Sequence, residues 1–166
     1  MVSILTASKT ISSCQNTMSL ISEASTLDEG LRGLIEAYRS TAYRVLSNTP
    51  FTIRVEQRSD ELAKLYASLG VKSAAFITAW NPYSKPHSQT ENRAANEALE
   101  AALREAGFTQ IIPGFGEDPS GKWPGEESLL VLGISLQAGK ALSARFQQNA
   151  FIWAGPDAKP ELIITV

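Results

Sequence analysis

The chain reads as an α+β protein with a ferredoxin-like βαββαβ core over about residues 74–154, a mixed sheet with helices packed on it. Three observations predict it. Segments with strand and helix periodicity alternate in the order β-α-β-β-α-β from Ala74 onward, the split βαβ arrangement. Capping signals open the helices and glycines close two of them. The composition, 43% apolar and 19% charged, is that of a globular domain. An N-terminal helix, an extra β-α unit and a C-terminal strand complete the expected architecture.

Taken in order, residues 1–26 show no sustained period and are expected to be a poorly ordered leader before a single domain spanning 27–166. Met18 offers an alternative start within that leader, and the single cysteine, Cys14, lies there too. In "TLDEGLRGLIEAYRSTAY" Thr26 and Glu29 have capping-box spacing, and Leu27, Leu31, Leu34, Ile35 and Tyr38 share a helical face. Gly30 and Gly33 weaken this helix by about 1 kcal/mol each relative to alanine. "PFTIRVEQ" alternates Phe51, Ile53 and Val55 with polar residues, the pattern of a half-buried strand. "SDELAKLYASLG" reads as a helix from a Ser59 or Asp60 cap to a Gly70 stop.

"SAAFITAW" is a continuous apolar strand. Ser88 and Glu91 make a capping box for the next helix, whose apolar face is Ala94, Ala95, Ala98, Leu99, Ala102 and Leu103. A strand "FTQIIPGF", the loop 116–127 and a strand "SLLVLGIS" follow. The chain closes with a helix in "LQAGKALSARFQQN", a strand "AFIWAG", a turn "PDAKP" and the strand "ELIITV".

The net charge of −2 and the absence of a Lys/Arg cluster argue against nucleic acid as a partner. No stretch is long and apolar enough to span a membrane, and residues 1–26 lack the basic start and unbroken apolar run of a secretory signal, so a cytoplasmic protein is expected. One cysteine and one histidine cannot build a Cys/His metal centre, no Gly-rich phosphate cradle precedes the helix that opens at Ser88, and the sequence leaves the cofactor unknown.

In the expected topology, two non-neighbouring strands run the same way. The loop 80–92, the hairpin 116–128 and residues 147–149 then meet at one end of the sheet. Around that end stand Trp80, Asn81, Glu91, Asn92, Trp123, Glu127, Ser128 and Gln148, the candidate ligand-binding residues. Asn81, Asn92 and Gln148 would supply hydrogen bonds, Trp80 or Trp123 a stacking wall, and Glu91 and Glu127 charge recognition of a small polar ligand. An alternative is a carboxylate- or metal-dependent hydrolase or transferase using Glu127 with Glu117 or Asp118, with His87 as a further catalytic candidate. A third is an interaction module in which an edge strand, "FTIRVEQ" or "ELIITV", adds to a partner sheet or makes a homodimer. Against the candidates stand ordinary roles: Ser88 and Glu91 satisfy a helix start, and Asn149 suits a helix end.

The runs "FITAWNP", "GFGEDPSGKWPGEESLLVLGIS" and "ARFQQNAFIW", with Ser88, Glu91 and Asn92 between the first two, resemble small bacterial proteins of domain-of-unknown-function family number 3293 over roughly residues 38–155. The resemblance implies a bacterial, soluble, single-domain protein and carries no activity. Its motifs fall on Thr78, Trp80, Asn81, Pro82, Glu91, Asn92, Glu127, Ser128 and Gln148.

Overall fold

The computed structural model describes residues 25, 26 and 28–166. The expected leader, with Cys14 and Met18, lies outside the described residues apart from Ser25 and Thr26, as does Leu27. Contacts divide the chain into Met1–Ala37 and Tyr38–Val166. In the first unit residues 28–37 are helical, with an Asp28–Arg32 ion pair one turn apart. The helix, α1, continues to residue 40. Thr26 is itself helical, so it does not serve as the expected N-cap.

In the second unit the elements are β1 (Ala42–Val45), β2 (Phe51–Ile53), α2 (Asp60–Leu69), β3 (Ala74–Ile77), α3 (Gln89–Glu105), β4 (Ile111–Glu117), β5 (Glu126–Leu132), α4 (Leu136–Arg145), β6 (Ala150–Ala154) and β7 (Pro160–Ile164). The strands form one sheet in the order β2-β1-β4-β5-β3-β6-β7. Every neighbouring pair is antiparallel. This corrects the expected ferredoxin-like mixed sheet: the architecture is a seven-stranded, wholly antiparallel sheet. Two physical causes stand out. Residues 42 and 43, expected to end the first helix, belong instead to β1, which pairs with β2 and β4 and widens the sheet. Strands that run the same way never touch, because an antiparallel strand lies between each such pair, as β5 lies between β3 and β4.

The helices form where the local chemistry puts them. Ser59 caps α2 by accepting from Leu62 N, and Gly70 ends it in the left-handed conformation that glycine adopts without steric cost. The capping box of Ser88 and Glu91 is complete at α3. Ser135 caps α4 by accepting from Ala138 N.

Alternation along the strands gives the sheet two apolar faces. Tyr43, Val45, Phe76, Leu130, Leu132 and Ile152 pack with Leu62 and Tyr66 of α2. On the opposite face Ala75, Ile77, Leu129, Val131 and Phe151 pack with Leu99 and Leu103 of α3 and with Ala138 and Leu142 of α4. Gly114 lets the Phe76 ring lie against β4, since a Cβ there would come within 2.5 Å of Phe76 Cε2. The sheet's edges are β2 and β7. Among the described residues no helix is long and apolar enough to cross a membrane.

Candidate functional site

At the C-terminal end of β3 the chain leaves the sheet. The β3–β5 ladder stops at Ile77–Leu129, and side chains take over the backbone groups beyond it. Asn96 accepts from Ala79 N at 2.7 Å and donates to the Glu127 carbonyl at 2.8 Å. The Thr78 hydroxyl donates to the same carbonyl at 2.7 Å. One turn earlier on α3, Asn92 ties down the next stretch. Its Oδ1 accepts from Asn81 N at 2.8 Å, and its Nδ2 donates to Asn81 Oδ1 at 2.9 Å and to the His87 carbonyl at 3.3 Å. Asn81 Oδ1 also accepts from His87 N at 3.0 Å. These bonds close residues 81–92 into a compact loop on the α3 N-terminus.

A second clamp comes from the segment after α4. Tyr83 N donates to the Gln147 carbonyl at 2.7 Å, and Asn149 Nδ2 donates to Ser84 Oγ at 2.9 Å. Gln148, only 6% exposed, donates to the carbonyls of Trp80 and Phe146. Four non-glycine residues here adopt positive φ: Asn81 (47°), Tyr83 (52°), Ser84 (57°) and Gln147 (56°). Such conformations cost of order 1–3 kcal/mol each and persist where surrounding contacts over-determine them.

The hairpin segment reaches this loop through Glu126. Asn81 Nδ2 donates to Glu126 Oε1 at 3.2 Å. Among the described residues Asn81 is the carboxylate's one side-chain donor, and no Lys or Arg pairs with it. Because no fully buried side-chain oxygen lacks a partner, Oε2 keeps some contact with solvent. Glu126 lies directly across from Gly116, which in turn faces Tyr43. A Cβ at Gly116 would stand in ordinary van der Waals contact with Thr41 Cγ2 at 3.7 Å and Tyr43 Cδ1 at 4.0 Å. Tyr43 Oη donates to the Tyr38 carbonyl at 2.7 Å.

Burial dominates the electrostatics. It pushes the Glu126 carboxyl up to about 6, against the Asn81 hydrogen bond, which acts in the other direction. The Tyr38 phenol is raised chiefly by burial and then by the Glu126 charge, while a hydrogen bond with Ser84 opposes them. Burial likewise raises Tyr43. A carboxyl with two neutral phenols nearby and no counter-cation can bind or exchange a proton near neutral pH.

The sequence-derived candidates separate into groups. Asn81, Asn92 and Gln148 are brought together with the β3 end, but Asn92 and Gln148 spend their hydrogen bonds holding the chain. Trp80 is 8% exposed, so its ring is core and offers no stacking wall. Trp123 is half-buried in the hairpin. Ser128 is buried and donates to the Glu126 carbonyl at 3.2 Å. Glu91 is an exposed cap whose carboxyl is held below its usual range by the Ser88 hydroxyl and amide. His87 is exposed and enters the loop through its backbone.

The carboxylates proposed to act together are occupied elsewhere. Glu127 faces away from Glu126 and pairs with Arg93 at 3.2 Å. Glu117 pairs with Arg44 at 3.7 Å. Asp118 accepts from Ser120 N, Ser120 Oγ and Lys122 N, closing its own turn. Among the described residues no group of three His, Cys, Asp or Glu side chains could hold a metal ion.

Sequence reasoning counted Glu126 only among the four acids of the hairpin and Tyr38 only on a helix face, and it passed over Asn96. A signal existed for Asn96: asparagine is a poor helix former, and two of them stand four apart in "NRAAN", on the stripe that continues to Leu99 and Leu103.

The model of family DUF3293, described as a protein of unknown function, matches residues 77–151. The match runs from the last residue of β3 into β6 and so takes in the β3 exit loop, α3, the hairpin, α4 and residues 147–149. Comparison with curated proteins and with solved structures gave no match.

Proposed function

We propose that the sheet end formed by residues 80–92, 116–128 and 147–149 binds a small polar ligand, with Glu126 as the anchoring group. One observation carries the reading: a half-buried carboxyl held at one oxygen by Asn81, with no basic partner among the described residues. Withdrawing a carboxylate from solvent without a cationic partner destabilises a fold, so such a group is expected where function requires it. Asn81 positions Glu126, and the Tyr38 and Ser84 hydroxyls add hydrogen-bonding groups nearby. Asn92, Asn96, Gln148 and Asn149 hold the loop against α3 and α4. The left-handed residues of the loop fit a surface whose shape is maintained for a purpose other than stability.

A thermal-shift screen of the full chain against small polar metabolites tests this. The expected result is a set of stabilising compounds whose effect disappears in Glu126→Gln and survives in Glu127→Gln. Compounds that stabilise wild type and Glu126→Gln equally would refute the assignment.

A further inference from the structure

We propose that the chain forms a two-fold dimer in which β7 pairs antiparallel with β7 of a second copy, with Ile163 on the axis. The hydrogen-bond phase of the strand carries the argument. Thr165 N donates to the Asn149 carbonyl at 2.9 Å, continuing the register of the β6–β7 ladder. Bonded and non-bonded pairs alternate along an antiparallel ladder, so Glu161, Ile163 and Thr165 direct their backbone groups to β6. Pro160, Leu162 and Ile164 turn theirs to the free edge. At Pro160 that edge is closed, because its carbonyl accepts from Glu56 N at 2.8 Å and proline has no N–H. Among the described residues no group bonds the outward N–H and carbonyl of Leu162 or Ile164.

The sheet's other edge offers no such row. Leu46 N donates to the Pro113 carbonyl, which sets Tyr43 and Val45 of β1 as the residues bonded to Ile53 and Phe51 of β2. Within β2 only Thr52 then faces outward, and the next outward carbonyl, that of Arg54, accepts from Gln57 N. The β7 edge, in contrast, is unprotected and already ordered. Residues 161–165 contain no lysine, proline or glycine, and Glu161 is their one charge. The far end is pinned: Thr165 Oγ1 donates to the Gln148 carbonyl and lies 3.2 Å from Ser143 Oγ of α4. A strand fixed at both ends loses little conformational freedom on pairing.

The occupant is a second copy because this edge complements itself. With Ile163 opposite its own copy, Leu162 stands opposite Ile164 and exchanges both backbone bonds with it, twice over by symmetry. Leu162 and Ile164 meet on one face, and the two Ile163 side chains on the other. Glu161 stands opposite Thr165, so the two carboxylates are kept apart. Sliding the pair toward Pro160 would use a carbonyl that Glu56 already occupies. A strand of another protein would make the same backbone bonds, but an edge with a single charge has little with which to select one.

Sedimentation velocity and amide hydrogen exchange of the full chain over a dilution series test the proposal. The mass is expected to rise with concentration from 17.9 kDa to twice that value. The Leu162 and Ile164 amides should exchange slowly in the dimer and quickly on dilution. Ile164→Pro removes an N–H that faces away from β6, so it should keep the β6–β7 ladder and weaken association about tenfold or more. The exchange measurement uses wild type and decides the matter even if that variant does not fold. A monomer at every concentration overturns the proposal and leaves the edge to a strand of another protein. A dimer in which the Leu162 and Ile164 amides exchange as fast as in the monomer, or one that a folded Ile164→Pro forms equally well, overturns it too.

Discussion

Replacing Glu126 by glutamine should make the protein more stable at alkaline pH and leave it nearly unchanged at acid pH. The carboxyl's midpoint is pushed from its ordinary 4.5 up to about 6 in the folded chain, chiefly by burial. Between those values the folded state binds more protons than the unfolded one, so stability declines as pH rises through the window. Below about 4.5 both states are protonated and the penalty is absent. Above about 6 it is fully developed and amounts to roughly 2 kcal/mol, at about 1.4 kcal/mol for each tenfold change in proton affinity. Glutamine keeps the shape and the carbonyl oxygen that accepts from Asn81, but never ionises. Urea unfolding of wild type and variant at pH 4.5 and pH 8 measures the difference, and the other titrating groups cancel between the two proteins. The variant should gain about 2 kcal/mol at pH 8 and only about 0.4 kcal/mol at pH 4.5, where half of the unfolded chains are already ionised at this group. An equal stability at pH 8, or a gain that does not change with pH, would refute the claim that Glu126 is a desolvated acid without a counter-ion.

Two further substitutions probe the frame of the site. Asn92→Ala deletes three hydrogen bonds from a residue 2% exposed, leaving Asn81 N and the His87 carbonyl without their partner. The expected loss is about 2–4 kcal/mol, or roughly 6–12 °C in Tm for a domain of this size, and a change below about 1 °C would show the loop is held by other means. Gly114→Ala places a methyl group 2.5 Å from Phe76 Cε2 and 3.1 Å from the Arg44 carbonyl. It should cost about 1–3 kcal/mol in urea unfolding, and an unchanged midpoint would contradict the close approach of ring and strand.

What the sequence made legible was the chemistry that acts over a few residues. The Ser59 cap, the Gly70 stop and the Ser88–Glu91 box all stand where expected, because each is a local exchange of hydrogen bonds. The meeting of the exit loop with the hairpin and with residues 147–149 followed from strand directions, although the sheet around them is antiparallel throughout. β1 was hidden because "STAYRV" continues the apolar spacing of the helix before it, and only pairing with β2 and β4 turns it into strand. The hairpin loop was overestimated for a related reason: Glu117 ends β4 and Glu126 begins β5, and charge made them look like loop.

The choice between Glu126 and Glu127 was beyond pattern reading. In "EESLLVL" both parities end in leucine or valine, Leu129 and Val131 on one face and Leu130 and Leu132 on the other. Alternation therefore gives no inside and outside, and only the loop from β3 and the phenols of Tyr38 and Tyr43 distinguish the two acids.

Site-resolved ¹³C NMR titration of the Glu126 side-chain carboxyl in the folded protein measures the central quantity directly. A midpoint near 6 is the predicted result. A midpoint at the ordinary 4.5 would mean that water solvates the carboxylate freely, and the withdrawn, unpaired acid on which the binding site rests would not exist.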